Sequence, residues 1–458
     1  MRHALAVPIA RAAGTLSRRL GRGGGTALPG KVVLRLSPRA VEHLGAGLRG
    51  GTVCVSATNG KTTTCRLLAA ALTCDGSALV ANPAGANLMS GVAAALMAGR
   101  RGRPRPDRAL FEVDEAALPE VVRQLRPHAL VLMNLFRDQL DRYGELETVA
   151  AAWRRMVDDL PPQTTLVLNA DDPAVADLGR RRSSVVYFGV DDPTVATREV
   201  SHASDSTRCL VCAQPLEYAR VTLGHMGAWR CPSCGDARPA PTVRATRVSI
   251  DSTRGQSIEW ATPRGTASAT LTLPGVHNAY NATAALAAAL TLGVAPAAAA
   301  TAMGRAGAAF GRGERIRVHG RDLVMLLAKN PAGANTTVRT LLGDRDPLHL
   351  LVALNDRTAD GQDVSWIWDV DYEPLLDHID VLTVTGDRAH DMALRFVYAG
   401  LPRERVRVVE NPSRALDAAL AGVPDDRPLY VLPTYTAMLS LRAELVRRGV
   451  AREFWRDA

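Results

Sequence analysis

The sequence predicts an α/β fold with two largely parallel sheets, and three features of its pattern indicate this. Short apolar runs typical of buried strands alternate with segments of helical period along most of the chain. A glycine-containing turn joins the first such strand to the helix that follows it. The alternation is interrupted near residues 201–241, which carry four clustered cysteines. A chain of 458 residues is long enough for two or three domains.

The strand pattern divides the chain into three parts. The predicted parts are a basic N-terminal segment at 1–46, a central domain at 47–316 with the cysteine segment inserted at about 205–238, and a C-terminal α/β domain at 317–458. The N-terminal segment is expected to form one or two short helices, broken by Gly23–Gly25 and Pro29. A glycine-rich joint, Gly304–Gly313, precedes the C-terminal domain.

Individual elements follow from the same patterns. The predicted central strands are Thr52–Ser56, Ala109–Val113, Ala129–Asn134 and Thr165–Asn169, followed by antiparallel strands within Val243–Trp260 and Ala267–Leu273. The predicted central helices are Thr62–Leu72 and Asn278–Leu292. The C-terminal strands are predicted at Leu323–Leu327, Leu348–Leu354, Val381–Thr385, Val406–Val409 and Leu429–Pro433.

The positive charge is concentrated at one end of the chain. The formal net charge is +9, and residues 1–41 alone hold eight Lys or Arg and no acid. The remainder is nearly neutral, which argues against a nucleic-acid-binding surface. No stretch is apolar enough to span a membrane, so a cytoplasmic protein is expected. The basic end could be drawn to the anionic inner face of a membrane, or be a solvated tail or a docked helix; co-sedimentation with anionic liposomes would separate these readings.

A candidate phosphate-binding loop spans Ser56–Thr64. It follows a strand and opens a helix, so its backbone N–H groups and the helix N-terminus would face an anion. Lys61 would reach the β- and γ-phosphates of ATP, and the Thr62 hydroxyl would ligate Mg²⁺. Val55 stands where the strict motif has its first glycine, and the alternative is a glycine turn with a surface lysine. The candidate nucleotide-binding residues are Thr58, Asn59, Gly60, Lys61, Thr62 and Thr63.

The four clustered cysteines form two C-x-x-C pairs. Cys209 and Cys212 form the first pair, and Cys231 and Cys234 form the second, with 18 residues between the pairs. Two such turns can point four thiolates at one ion, which predicts a tetrahedral zinc site. Four thiolates fill the coordination sphere, so the zinc would be structural. The alternative is a pair of redox dithiols.

Several segments resemble the Mur ligases and folylpolyglutamate synthetases. The loop Thr-Asn-Gly-Lys-Thr at residues 58–62 is similar to theirs, with Ala57 in place of the usual glycine. Phe111–Glu115 resembles the family's acidic segment, in which Glu112 would bind magnesium. Residues 134–142 resemble a further family segment, but Gln139 replaces a histidine that ligates metal in relatives, which leaves a second magnesium open.

The resemblance extends to the nucleotide and to the reaction. Residues 273–282 resemble the family's adenine-side motif, which implies that Asn278 and Asn281 lie near the nucleotide. Mur ligases phosphorylate a carboxylate to an acyl phosphate, which an amine then attacks. The resemblance therefore implies an ATP-dependent ligase in which Lys61 and Glu112 are catalytic. The phosphate loop lies so early in the sequence that no nucleotide-sugar domain is expected before it.

Three C-terminal segments sharpen the resemblance. Residues 327–335, 354–369 and 433–436, together with the cysteine pairs, are similar to the MurT family, the ligase subunits of lipid II isoglutaminyl synthases. This implies a GatD-type glutamine amidotransferase partner that supplies ammonia. It also implies a lipid II substrate whose D-glutamate α-carboxylate becomes D-isoglutamine in peptidoglycan synthesis. Asp363 would be catalytic by completing the partner's Cys–His pair.

Two other functions are compatible with parts of the sequence. A stand-alone ligase of the folylpolyglutamate synthetase type would add an amino acid without a partner. A zinc-ribbon ATPase would act as a nucleic-acid or assembly module, and DNA or RNA would stimulate its ATP turnover. The near-neutral charge beyond residue 41 argues against the second function.

Overall fold

The computed structural model of the protein describes residues 2–19, 28–83, 85–100, 105–137, 146–197, 204–251, 253–307, 312–344 and 347–451. Two large sheets organise the chain, as the sequence predicts. Gly23–Gly25 and Gln139, on which predictions from the sequence depend, lie outside the described residues.

The first sheet has the strand order β11-β10-β9-β6-β5-β4-β1-β3-β2. Its strands are β1 Gly51–Ser56, β2 Leu79–Ala81, β3 Arg108–Glu112, β4 Ala129–Leu132, β5 Thr165–Asn169, β6 Val185–Val190, β9 Val243–Asp251, β10 Gly255–Thr262 and β11 Gly265–Leu271. Strands β7 Glu217–Leu223 and β8 Met226–Arg230 form a separate two-stranded hairpin. Strands β1 to β6 are all parallel to one another, and β9 pairs with β6 in parallel. Strand β10 is antiparallel to β9, and β11 is antiparallel to β10. The predicted run Val243–Trp260 is thus two strands joined by a turn.

The second sheet has the order β12-β13-β17-β14-β15-β16. Its strands are β12 Arg312–Val318, β13 Arg321–Leu326, β14 Leu348–Ala353, β15 Ile379–Thr385, β16 Val406–Val408 and β17 Leu429–Pro433. Only β12 runs antiparallel to its neighbour, and the other pairings are parallel. This sheet begins at Arg312, slightly upstream of the boundary predicted at residue 317.

Helices cover both sheets. They are α1 Arg2–Arg19, α2 Leu28–Leu36, α3 Ala40–Gly45, α4 Lys61–Leu72, α5 Met89–Gly99, α6 Leu118–Leu125, α7 Leu146–Asp158, α8 Pro173–Ala176, α9 Val276–Thr291, α10 Pro296–Arg305, α11 Pro331–Leu342, α12 Ala389–Ala399, α13 Pro412–Ala421 and α14 Tyr435–Arg447. Helix α9 is alanine-rich and nearly all of it is buried beside α4. Its small side chains allow helix and sheet to approach closely, which holds α4 and the loop before it in place.

The N-terminal helices are docked on the central domain. Ala6 and Ala10 of α1 and Val33 of α2 are fully or almost fully buried in the same core as strands β3 and β4. Helix α1 is 18 residues long, so the expectation of short helices was wrong here. Pro29 was also misread: it lies in the first turn of α2, where its missing N–H costs no hydrogen bond, and so it starts a helix. The docked-helix alternative is therefore the one observed, and attraction to a membrane stays a prediction.

No helix within the part of the chain that the structure describes is long and apolar enough to cross a membrane.

Helices α2 and α5 approach so closely at Gly30 that any side chain there should destabilise their packing. A Cβ at Gly30 would lie 1.7 Å from the backbone oxygen of Ser90, so Gly30→Ala must separate the two helices. We expect the free energy of local opening to fall by ~1–3 kcal/mol. Faster hydrogen exchange of the α2 amides would report this change. Leu36→Ala, at an exposed position on α2, should leave exchange near wild type, and unchanged protection in Gly30→Ala would contradict the packing described.

Candidate active site

The phosphate loop occupies the turn between β1 and α4. Gly60 has a φ of +93°, and a Cβ there would lie 2.1 Å from the Asn281 side-chain oxygen, so only glycine fits. The loop is held from the next strand by Asn134, whose backbone oxygen accepts from the Thr58 N–H at 3.1 Å and whose side-chain oxygen accepts from the Asn59 N–H at 2.9 Å. The sequence-predicted loop residues therefore converge on one rigid turn at the end of a parallel sheet, facing a helix N-terminus.

Lys61 is held at the floor of the loop by a buried ion pair. Its Nζ lies 2.8 Å from Oε2 of Glu115, and the two side chains are only 10% and 7% exposed. The same Nζ donates to the backbone oxygen of Ala57. Sequence reasoning did not single out Glu115, although it closes the acidic segment that contains Glu112. A bound phosphate would compete with this carboxylate for the ammonium group.

Thr62 and Glu112 lie side by side across the loop. The Thr62 hydroxyl donates to Oε1 of Glu112 at 3.1 Å, and Asn82 fixes the Glu112 backbone through two hydrogen bonds of 2.8 and 2.9 Å. Adjacent oxygens of an octahedral Mg²⁺ lie about 3.0 Å apart when each bond is about 2.1 Å long. The pair therefore fits two neighbouring positions around one magnesium ion.

A cavity of about 110 Å³ extends from the loop towards α9. Asn278 and Asn281 line it together with Gly60, and the two amides are hydrogen-bonded to each other at 3.0 Å. Phe136 and Tyr280 supply an apolar side. Burial and the carboxylate of Asp171, which accepts from the Tyr280 hydroxyl at 2.5 Å, raise the pKa of Tyr280 well above its ordinary value, so this hydroxyl stays protonated.

The C-terminal domain closes over the loop through a second asparagine. Asn330, whose side chain is fully buried, donates to the Asn59 side-chain oxygen at 3.1 Å and accepts from the Asn59 amide at 3.4 Å. Its oxygen also caps α11 by accepting from the Gly333 N–H at 2.8 Å. Sequence reasoning placed Asn330 in a segment typical of the family but gave it no role. This contact joins the central and C-terminal domains at the phosphate loop.

The four cysteines converge as predicted. Their sulfur atoms all lie within 4.8 Å of one another, with Cys209 and Cys234 at 3.5 Å and Cys212 and Cys231 at 3.4 Å. Four sulfurs around a zinc ion with bonds of about 2.3 Å lie about 3.8 Å apart. The cluster therefore has the dimensions of a tetrahedral zinc site.

Asp363 lies on the surface of the C-terminal domain. It is exposed, and its Oδ1 accepts from the Ser365 N–H at 2.8 Å. Hydrogen bonds from the Ser365 side chain and backbone lower the pKa of Asp363, so it is ionised at neutral pH. Nearby, Trp368 is 49% exposed and meets the exposed Tyr398 edge-on, whereas Trp366 is half-buried against the core.

The segment that carries Asp363 is tied to the base of α14. Asp360 is buried, and its carboxylate accepts from the Thr436 N–H at 2.7 Å and from the Thr436 hydroxyl. Burial, and the nearby carboxylates of Asp360 and Glu112, raise the pKa of the intervening Tyr435. Tyr435, the first residue of α14, thus lies within the electrostatic reach of both carboxylates. Sequence reasoning gave Asp360 no role, although it lies in the family-like segment at residues 354–369.

Comparison with known proteins agrees with this arrangement. A family model described as "MurT ligase C-terminal" matches residues 327–438, and one described as "Mur ligase middle domain" matches residues 55–231. The MurT subunit of the lipid II isoglutaminyl synthase (glutamine-hydrolyzing) of Streptococcus pneumoniae is 31% identical over 439 residues, which cover 95% of each chain. This chain belongs to the MurT family.

A second relative supports the assignment. The corresponding MurT subunit of Staphylococcus aureus strain N315 is 29% identical over 452 residues, which cover 98% of each chain. The MurT-family chain is accordingly a Mur-type ATP-dependent ligase, as the sequence predicts.

Solved structures show the same fold at low sequence identity. A pseudomurein peptide ligase type C from Methanothermus fervidus has a TM-score of 0.66 at 20% identity, covering 89% of this chain and 80% of that one. Mycobacterium tuberculosis folylpolyglutamate synthase complexed with ADP has a TM-score of 0.63 at 18% identity, covering 91% and 94%. The predicted fold class, a Mur ligase-type central domain with an inserted four-cysteine ribbon and a C-terminal α/β domain, is confirmed.

The buried position of Lys61 generates the first functional prediction. Lys61→Ala removes the only loop side chain placed to neutralise charge on a transferred phosphoryl group, so ligation should fall by about 10²–10³-fold. Arg66→Ala, which removes an exposed cation from the same helix, is the matched control and should retain activity. ATP-dependent product formation under saturating substrates measures both. Wild-type turnover by Lys61→Ala would remove the loop from the mechanism.

The cysteine cluster generates a second prediction. Elemental analysis of the purified chain should give one zinc per chain, because the four sulfurs have the dimensions of a single closed site. Cys209→Ser should lose the metal. Cys74→Ser, which changes an exposed cysteine outside the cluster, should keep it. A stable wild-type chain without zinc would refute the assignment.

Proposed function

We propose that this chain is the ligase subunit of a two-subunit enzyme that amidates the D-glutamate α-carboxylate of lipid II to D-isoglutamine in peptidoglycan synthesis. The observation that carries the proposal is the 31% identity to the S. pneumoniae MurT subunit, which extends over 95% of both chains. The substrate and the glutamine-hydrolysing activity are those for which the two MurT relatives are named. The contacts around the loop suggest how this chain performs its part.

The first step is phosphoryl transfer to a carboxylate. An α-carboxylate oxygen of the substrate attacks the γ-phosphorus of ATP, the bond to the β–γ bridging oxygen breaks, and an acyl phosphate and ADP form. Lys61 neutralises charge on the transferred group once it exchanges Glu115 for phosphate oxygens. Thr62 and Glu112 would hold a magnesium ion, which would supply further neutralisation of the phosphates. Asn278 and Asn281 contact the nucleoside end of the ATP.

The second step is capture of the acyl phosphate by ammonia. The ammonia nitrogen attacks the acyl carbon, the carbon–oxygen bond to phosphate breaks, and the added nitrogen loses a proton to give the carboxamide. Unprotonated ammonia is a minor species at neutral pH, so direct delivery from a glutaminase favours the reaction over capture by water. A GatD-type glutamine amidotransferase supplies it from glutamine.

Asp363 serves the partner's active site in this proposal. A carboxylate that completes another subunit's catalytic site must be exposed in the isolated chain, ionised and fixed in direction. Asp363 is exposed, its pKa is lowered, and its side chain is fixed by the Ser365 N–H. It would accept from the partner's histidine and stabilise the imidazolium form, which keeps the cysteine thiolate reactive. Exposed Trp368 and Tyr398 beside this segment suit a protein contact.

The cysteine cluster has a structural role in the proposed enzyme. Four thiolates complete the coordination sphere of zinc, so no position remains for substrate or water. The zinc fixes the two knuckles relative to each other and thereby the β7–β8 hairpin between them. Redox chemistry at these cysteines is not needed for either step.

Asp363→Asn separates the two half-reactions. The amide cannot stabilise a protonated histidine, so glutamine-dependent amidation by the assembled complex should fall strongly, up to ~10⁴-fold by the serine-protease precedent and less for a cysteine nucleophile. Added ammonia at high concentration should restore amidation, because it bypasses the glutaminase. Mass spectrometry of lipid II follows both reactions.

The control for this experiment is Asp377→Asn, which changes another exposed carboxylate of the same domain and should leave glutamine-dependent amidation unchanged. If ammonia failed to restore amidation in a folded, assembled Asp363→Asn complex, Asp363 would belong to the ligase half. Amidation without a partner, or addition of an amino acid in place of ammonia, would instead favour a stand-alone ligase.

A further inference from the structure

The hairpin β7–β8 connects the two C-x-x-C pairs, here called knuckles, at Cys209–Cys212 and Cys231–Cys234. The hairpin and the knuckles together form the ribbon, and the turn of the hairpin, its tip, lies inside the central domain. Gly224 at the turn has a φ of +58°, and a Cβ there would lie 2.8 Å from the ring of Phe136. On either side of the turn, Leu223 and Met226 are buried in the same core cluster as Phe136. The tip of the ribbon is therefore pressed into the ligase domain and is not a free appendage.

Hydrogen bonds fix the tip to the residues that follow β5. The Gly227 N–H donates to the Asp171 backbone oxygen at 2.9 Å, and the Trp229 indole donates to the Ala170 backbone oxygen at 3.1 Å. His225 Nε2 lies 3.3 Å from Oδ2 of Asp172, and both side chains are fully buried. These contacts at His225, Gly227 and Trp229 leave the tip little freedom.

The same tip lines the cavity beside the phosphate loop. Leu223 and Met226 are among its lining residues, together with residues of the C-terminal domain such as Leu327 and Thr336. Arg339 from that domain donates to the Thr222 backbone oxygen at 3.3 Å. The hairpin therefore also contacts the C-terminal domain directly. The cavity contains Gly60 at its loop end and the amides of Asn278 and Asn281 along its length.

A nucleotide base is the group that this cavity suits. ATP whose phosphates lie on the loop must extend its nucleoside away from the helix N-terminus, and the cavity begins at Gly60. Its lining combines apolar and aromatic side chains with a few convergent amides, which is the usual composition of a pocket for a flat heteroaromatic ring. We propose that the tip of the zinc ribbon forms a wall of the adenine pocket, with Leu223 and Met226 in contact with the base.

This inference rests on the proposed nucleotide site and adds a role for the ribbon. The knuckles at the open end of the hairpin set the position of its strands, and the strands set the position of Leu223 and Met226. Loss of the cysteine cluster's metal would loosen the wall and weaken nucleotide binding, although no cysteine touches the nucleotide. A hairpin that merely stabilises the domain would affect every ligand of the loop alike.

The test compares two ligands of the full-length chain by titration calorimetry in the presence of Mg²⁺. ADP uses both the loop and the base pocket, whereas tripolyphosphate uses the loop alone. Met226→Ala and Leu223→Ala should each raise the Kd of ADP about tenfold, through lost apolar contact, and leave that of tripolyphosphate unchanged. Met226→Leu, which keeps the apolar contact, should bind ADP nearly as well as wild type. Retained tripolyphosphate binding shows that each variant is folded at the loop.

Matched controls come from the ribbon itself. Leu210→Ala and Val211→Ala change exposed apolar side chains on the first knuckle and should bind both ligands like wild type. Cys234→Ser, with zinc loss verified by elemental analysis, should weaken the binding of ADP more than the binding of tripolyphosphate. Unchanged ADP affinity in Met226→Ala and Leu223→Ala, or equal loss of both ligands, would overturn the proposal. A wild-type chain that bound neither ligand would instead overturn the nucleotide site on which the proposal rests.

Discussion

The paired hydrogen bonds between Asn59 and Asn330 hold the two domains in their functional relation. Asn59 is a phosphate-loop residue, already fixed to the neighbouring strand through Asn134, and Asn330 begins the helix α11 of the other domain. Each amide both donates and accepts, so the two side chains satisfy each other in a region with little access to water. The nucleotide cavity is lined by residues of both domains in this arrangement, and α11 also contacts the β7–β8 hairpin through Arg339.

Around this junction the chain separates two kinds of chemistry. The buried pair of Lys61 and Glu115 and the adjoining Thr62 and Glu112 suit phosphoryl transfer, which needs fixed charge away from bulk water. Asp363 is exposed, and in the proposed function it serves the active site of the partner subunit. The buried contact of Asp360 with Thr436 anchors the Asp363 segment to the start of α14, where the charges of Asp360 and Glu112 both raise the pKa of Tyr435.

Sequence reasoning succeeded where the chemistry is local. The phosphate loop and the paired cysteines are contiguous motifs, and the strands follow from short apolar runs, so their positions could be predicted within a few residues. Contacts between distant segments could not: Asn59 and Asn330 are 271 residues apart, and nothing in the hairpin's sequence indicates that Leu223 faces the nucleotide cavity. Pro29 was misread because proline in a first helical turn and proline in a break have the same local signature.

In the proposed mechanism an acyl phosphate links ATP cleavage to amidation, and an isotope measurement tests this step directly. Lipid II whose D-glutamate α-carboxylate carries ¹⁸O is converted by the assembled enzyme with ATP and glutamine, and the released phosphate is analysed by mass spectrometry. Transfer of the γ-phosphoryl group to the carboxylate requires the phosphate to leave with one oxygen from the substrate. The account therefore predicts one ¹⁸O atom in each phosphate formed with an amide. Amidation that releases unlabelled phosphate, or that places the label in AMP, would contradict it.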